Sequence, residues 1–201
     1  VLVEWTAQPA TMAVASGSHR EVFRVGIPVY DHPIKQILFR PGARAADVSF
    51  TSSPAQLMGS DAAPRLERAI DIGIAATCAE GVGAMDRLVA ITVEYMNTRK
   101  QFGATLASFQ ALRHRMADVK MQLELARSMS YFASLKLNEP APQRRRALSQ
   151  AKVQLGQSMR FVGQQCIQLH GGIGVTDELA ASHYFKRLTM LELAFGDTLH
   201  H

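Results

Sequence analysis

The chain has 201 residues, 47% of them apolar and 19% charged, with 14 Gly and 8 Pro. That composition excludes a disordered or collagen-like chain, and no apolar run approaches the ~18 residues of a membrane-spanning helix. The formal net charge is +5, but the cations are scattered singly and aromatic residues, 7% of the chain, do not interleave with them, so no nucleic-acid partner is expected.

The opening Val1-Leu2-Val3-Glu4-Trp5 has neither the basic nor the apolar stretch of a secretory signal. It begins inside strand-like sequence without a Met, which reads as a fragment or a processed product. Up to about residue 60, β-prone runs at 12–14, 22–25, 37–39 and 46–50 alternate with turn signals such as Gly26-Ile27-Pro28, His32-Pro33 and Arg40-Pro41-Gly42. The pattern predicts short antiparallel strands. About sixty residues make a thin sheet with little core of its own.

Near Ser60 the period becomes helical. Ser60 or Asp61 is placed to cap a first helix, with Pro64 in its first turn. Its stripe is Leu66, Ile70, Ile74, Thr77, Gly81, Ala84, Leu88, Ile91 and Tyr95. The periodicity breaks over residues 99–107. Ser108 is placed to cap a second helix with the stripe Phe109, Leu112, Met116, Val119, Leu123 and Ala126, ended by Asn138-Glu139-Pro140. A third carries Leu148, Ala151, Leu155, Met159, Val162, Cys166 and Leu169 and stops at Gly171-Gly172. A fourth is predicted from about 177 to 199, with Tyr184, Leu188, Leu191 and Phe195 inward. The fold class is therefore mainly α: an up-down four-helix bundle over residues 61–201, preceded by a short antiparallel β segment over residues 1–60. No strand is expected after Arg99. Short links and stripes broader than one core requires predict association with a second bundle.

Cys78 and Cys166 sit in apolar helical patterns without metal-ligand or CxxC spacing, so they read as small core residues in a reducing, cytoplasmic setting. Arg144-Arg145-Arg146 reads as a solvated loop or first helical turn. Arg99-Lys100-Gln101-Phe102-Gly103 lies at a helix break, where free backbone N–H groups and a forked guanidinium suit phosphate oxygens and an aromatic ring can cover a flat one. Gln110 offers a donor and an acceptor one turn on. Gln168-Leu169-His170-Gly171-Gly172-Ile173-Gly174 ends a helix with exposed N–H groups that a ligand can approach. Plain helix capping explains either motif taken alone.

Together, Tyr95, 99–103, Phe109-Gln110-Ala111, Ala117-Asp118, Glu124 with Ala126-Arg127, Ala151-Lys152 and 168–174 agree in order and spacing with one family. The chain from about residue 60 onward resembles the acyl-CoA dehydrogenases, and residues 44–50 look like the tail of that family's middle β-domain. The resemblance implies an FAD flavoprotein whose tetramers form through C-terminal bundles, with each FAD between one subunit's β-domain and its neighbour's bundle. It implies that Arg99 and Gln110 reach the neighbour's FAD pyrophosphate with Gln101 and Phe102 beside them. Gln168, Gly171 and Gly172 would lie near the adenosine end.

The implied reaction is α,β-desaturation of an acyl-CoA, in which a Glu removes the α-proton while the β-hydride passes to the flavin. At the two places where family members carry that Glu, this sequence has Phe195 and Gly73, and neither can take a proton. Asp71, Glu192, Asp197, His170 and His183 are the titratable residues nearby. The implication is a subunit of a heteromeric bacterial acyl-CoA dehydrogenase, of the kind acting on bulky steroid side-chain esters, inactive alone and completed by a homologous partner in a homo- or hetero-tetramer. The alternatives are a non-catalytic assembly module, or a flavin oxidase or monooxygenase of the same fold.

Overall fold

The structure, a computed structural model, describes residues 62–201 and five upstream strands: β1 (Thr11–Ala15), β2 (Glu21–Gly26), β3 (Lys35–Leu38), β4 (Arg44–Asp47) and β5 (Ala55–Ser60). The chain divides into two compact units, Val1–Ala69 and Ile70–His201.

In the first unit β1, β2 and β5 form an antiparallel sheet in that order, and β3 pairs with β4 antiparallel. Four strands coincide with the β-prone runs, although residues 48–50 lie outside the described residues. β5 corrects the sequence reading. Ala-Gln-Leu-Met-Gly-Ser has no β-branched residue, so its strand signal is weak. It is recruited by pairing with β2 across an irregularity between Val22 and Phe23. Ser60 pairs with Glu21 and so ends a strand instead of capping a helix. Asp61, the other expected cap, lies outside the described residues.

The helices are α1 (Ala63–Thr98), α2 (Gln110–Lys136), α3 (Ala141–His170) and α4 (Ala180–Leu193). At 1.5 Å per residue, the 36 residues of α1 span about 54 Å. Inward stripes at three- and four-residue spacing meet in one core in which Met85, Leu88, Val119, Leu123, Leu148, Leu155, Met159, Val162 and Leu188 are almost wholly buried. Each such side chain contributes about 1.5–3 kcal/mol by leaving water. Ile70 departs from the expected stripe: it is 49% exposed while its neighbour Asp71 is 4% exposed, so the start of the stripe is rotated by one residue.

Contacts between helix ends fix the direction of each helix. Asp71 near the start of α1 pairs with Arg144 in the first turn of α3, and Tyr95 near the end of α1 meets His170 at the end of α3. α1 and α3 therefore run the same way, with α2 returning between them. Arg187 of α4 pairs with Glu80 of α1, and the C-terminal end of α4 returns to the start of α1, giving the up-down order. Arg144 is thus mostly buried and paired, not the solvated residue of a charge run.

Two links differ from expectation. Between α1 and α2, β6 (Lys100–Gln101) pairs with β7 (Ala104–Thr105) in a minimal antiparallel hairpin, although no strand was expected after Arg99. Phe102 and Gly103, both at positive φ (54° and 80°), supply the two-residue turn that such a hairpin requires. A single 3-10 turn, Leu106–Ser108, leads into α2, and Phe109 stands at the N-cap. Ser108 donates its hydroxyl back to the Thr105 carbonyl (2.6 Å) and does not cap the helix. Finally, α4 is shorter at both ends than the predicted 177–199. At its C-terminal end Ala194 turns extended, and Phe195 and Gly196 follow at φ 58° and 101°, which no α-helix accommodates.

Candidate functional site

At one end of the bundle the structure brings together the two motifs that lie far apart in sequence. The Tyr95 hydroxyl donates to the His170 carbonyl (3.3 Å), and the two rings pack with centroids 4.6 Å apart, tilted by 34°. Arg99 follows Tyr95 by one turn, and Gly171 follows His170 directly. The backbone of Arg99 is pinned on both sides: its N–H donates to the Tyr95 carbonyl and its carbonyl accepts from Leu106 N–H. Its side chain is exposed, without a partner among the described residues. Gln101, Gln110 and Gln168 are also exposed, and Phe102 is 93% exposed with Phe109 set edge-on at 6.4 Å. Gly171 has φ 66°, and a Cβ at Gly171 or Gly172 would meet nothing within 4 Å, so the backbone there stands open to a ligand.

His170 lies just beneath this surface, 3% exposed. Its Nδ1–H donates to the Cys166 carbonyl (2.8 Å), while Nε2 is buried without a partner. Burial depresses its pKa, partly offset by the Cys166 carbonyl, so the ring is held neutral. His183 at the start of α4 donates from Nε2 to the Asp177 carbonyl (3.0 Å), and its Nδ1 is likewise buried without a partner. His170 is thus tied to the backbone of α3 and His183 to that of the link between α3 and α4.

The opposite end holds Gly73 and Phe195. The Phe195 ring lies over Gly73, and a Cβ built on Gly73 would stand 2.5 Å from the ring Cζ. Two positions more than a hundred residues apart thus share one location, filled by a single ring that is 48% exposed. The carboxylates nearby are engaged. Asp71 accepts from Arg144 Nε at 2.5 Å, and both side chains are almost buried. Glu192, 5% exposed, accepts from Arg160 Nη2 (2.9 Å), Thr198 Oγ1 (2.9 Å) and Thr198 N–H (3.3 Å). Asp197 accepts from the N–H groups of Leu199 and His200. These bonds make structural anchors of all three.

Lys152, in sequence only a member of the Ala151-Lys152 motif, has a role that appears with the structure. It is wholly buried, and its ammonium donates to the carbonyls of Glu192 and Gly196, 2.7 Å each. Burial lowers its pKa, countered by Cys78, Glu192 and Asp197. The signal was available, because residue 152 shares the inward stripe of Leu148, Leu155 and Met159. Cys78 and Cys166 are free and buried, with thiol pKa values pushed up to about 11 by desolvation. Among the described residues there is no cluster of metal-ligating side chains and no helix long and apolar enough to cross a membrane.

A sequence-family model described as acyl-CoA dehydrogenase, C-terminal domain, matches residues 64–198. The chain belongs to the acyl-CoA dehydrogenase family. Among curated relatives, the acyl-CoA dehydrogenase IpdE2 of Mycobacterium tuberculosis is 38% identical over 122 residues, covering 58% of this chain and 36% of that protein. The short-chain specific acyl-CoA dehydrogenase of Megasphaera elsdenii is 31% identical over 127 residues, covering 63% of this chain and 33% of that one. Among solved structures, a steroid acyl-CoA dehydrogenase, the Tcur3481-Tcur3483 G363A variant, superposes with a TM-score of 0.79 at 24% identity, over 94% of this chain and 51% of that one. The ChsE4-ChsE5 complex of Mycobacterium tuberculosis gives 0.68 at 20% identity, over 94% and 52%. These superpositions show the acyl-CoA dehydrogenase fold. The chain spans about a third of the length of the curated relatives and about half of the solved chains.

Proposed function

We propose that this chain is part of an FAD-dependent acyl-CoA dehydrogenase subunit that lends bundle-side FAD contacts and oligomer contacts but brings no catalytic base of its own. Residues 1–60 are read as the tail of the middle β-domain and 61–201 as the bundle domain. The observation that carries the proposal is the separation of the two ends. Gly73 lies on α1 and Arg99 directly follows its end, 26 residues later, a separation of roughly 39 Å along the helix. The pyrophosphate and the ring of one FAD are joined only by the short ribityl chain, so an FAD whose pyrophosphate rests on Arg99 cannot bring its ring to the Gly73 end of the same bundle. The cofactor-facing end therefore serves an active site assembled with another subunit, and the Gly73–Phe195 end supplies no carboxylate to an active site of its own.

The residues present fit FAD. A guanidinium on a pinned backbone suits a pyrophosphate, two open glycines allow close approach, and three exposed Gln side chains can satisfy ribose and adenine edges. The flavin would supply the hydride acceptor. Arg99 and Gln110 would hold its pyrophosphate, Gln101 and Phe102 would flank them, and Gln168, Gly171 and Gly172 would take the adenosine end. The partner is a homologous acyl-CoA dehydrogenase subunit. The names of the steroid enzyme and of the ChsE4-ChsE5 complex favour a heteromer acting on a bulky acyl-CoA. The test is co-expression with a full-length homologous subunit. FAD should co-purify with the pair, and an acyl-CoA should reduce it anaerobically only when that partner carries a carboxylate at a base position. Turnover with a partner stripped of its carboxylate would defeat the proposal.

A further inference from the structure

The loop that ends α4 is built around one buried cation. Lys152 binds the carbonyls of Glu192 and Gly196, and these lie on either side of Phe195 in the chain. Phe195 and Gly196 hold successive left-handed conformations, which a phenylalanine keeps only when its surroundings impose them. Further ties close the loop on α3. The Glu192 carboxylate holds Thr198 and Arg160, Thr198 is seated against Gly156, and Ser149 Oγ bonds His201 Nδ1 at 3.1 Å. Ser149, Lys152, Gly156 and Arg160 thus make one stripe of α3 that faces the loop. Without the ammonium the two carbonyls lose their shared donor; the remaining tie to this stretch of backbone from the set is His201 Nε2 on the Phe195 carbonyl (3.1 Å), which reaches neither Glu192 nor Gly196.

We propose that Lys152 is a positioning residue: by gripping the carbonyls on both flanks of residue 195, it holds that side chain in the notch over Gly73 and makes 73 and 195 a single location for one side chain at a time. Its bearing on catalysis rests on the reading of these two positions as the places for a base, whereas the coupling itself stands on the geometry. The two missing carboxylates are then one linked loss. With a ring held at 195, residue 73 has room for no more than a hydrogen, so a base at 73 requires the ring to leave as well.

The test is a set of thermodynamic cycles on the full chain, read by urea unfolding. Alanine is the better helix former, so Gly73→Ala should be favourable wherever its methyl group has space. In the unmodified chain that methyl meets the held ring, and the folding equilibrium constant should fall by about tenfold. In the Phe195→Ala background the same change should raise it. In the Lys152→Met background the Gly73→Ala penalty should vanish, and amide exchange over residues 194–200 should quicken by about tenfold or more while α2 is unchanged. If Lys152→Met does not fold, Lys152→Gln, a shorter arm with an N–H donor pair, should reduce the penalty without abolishing it. Nuclear Overhauser contacts from the Phe195 ring to the Gly73 α-protons should be present in the unmodified chain. Effects of residues 152 and 73 that simply add, or the absence of those contacts, would overturn the proposal. FAD retention by the assembled complex tests the functional reading independently, because Arg99 and Gly171 lie at the other end of the bundle.

Discussion

The two ends of the bundle use the same kinds of residue in opposite ways. At the Arg99–Gly171 end the backbone is pinned and the polar side chains project into solvent. At the Gly73–Phe195 end the charged side chains are spent on the protein itself: Asp71 on Arg144, Glu192 on Arg160 and Thr198, and Lys152 on two carbonyls. The first end leaves its polar side chains in solvent and the second is internally satisfied. The difference shows that the type of a titratable residue decides little until its partners are known.

The comparison breaks most readily at Asp71. If that carboxylate is structural, Asp71→Ala strands the almost buried Arg144 guanidinium and should cost about 3–5 kcal/mol in urea unfolding, as loss of one partner of a buried pair does. A carboxylate kept for proton abstraction would be removed at little cost in stability. At the other end, Arg99→Ala should leave stability within about 0.5 kcal/mol, as exposed substitutions do. It should weaken FAD binding by the assembled complex by about 1.5–3 kcal/mol, or roughly ten- to a hundredfold, when measured by flavin fluorescence titration.

Acid sharpens the contrast further. Burial lowers the folded-state pKa of His170, and of His201 to the same sense, below the ordinary value near 6.5. A depressed pKa means that the unfolded chain takes the proton first. The stability is therefore complete above about pH 6.5 and is lost as pH falls through the folded-state values, by at most about 1.4 kcal/mol per pH unit for each group. His170→Gln should flatten that loss in denaturation curves collected between pH 7 and pH 5. The smallest effect is expected at Ser108. Because its hydroxyl bonds the Thr105 carbonyl and caps nothing, Ser108→Ala should cost less than about 0.5 kcal/mol, against about 1 kcal/mol for a true N-cap. Thermal unfolding separates the two values.

Much of this was legible in the sequence because it follows from periodicity. The stripe Leu148, Ala151, Leu155, Met159, Val162 and Cys166 is buried as read, and Gly171 ends α3 at positive φ. What was missed depends on long-range pairing. β5 has only a weak local strand signal and exists through β2, so from sequence alone Ser60 looks like a cap. The apolar spacing of Leu188, Leu191 and Phe195 suits a longer α4, whereas the chain leaves the helix where Lys152, some forty residues earlier, binds the Glu192 and Gly196 carbonyls. The hairpin at 100–105 needs two successive positive-φ residues, one of them a phenylalanine, which sequence rules do not anticipate. The candidate cofactor residues stood out by motif. The Gly73–Phe195 contact did not, because it joins positions with no chemistry of their own.

The central claim is that FAD contact and base position belong to opposite ends of this bundle, and one titration tests it most directly. FAD affinity is measured for the complex with a full-length homologous subunit, comparing Arg99→Ala with Phe195→Ala. The account predicts roughly ten- to a hundredfold weaker binding for Arg99→Ala and unchanged binding for Phe195→Ala. Unchanged affinity in Arg99→Ala, with a loss in Phe195→Ala, would contradict it.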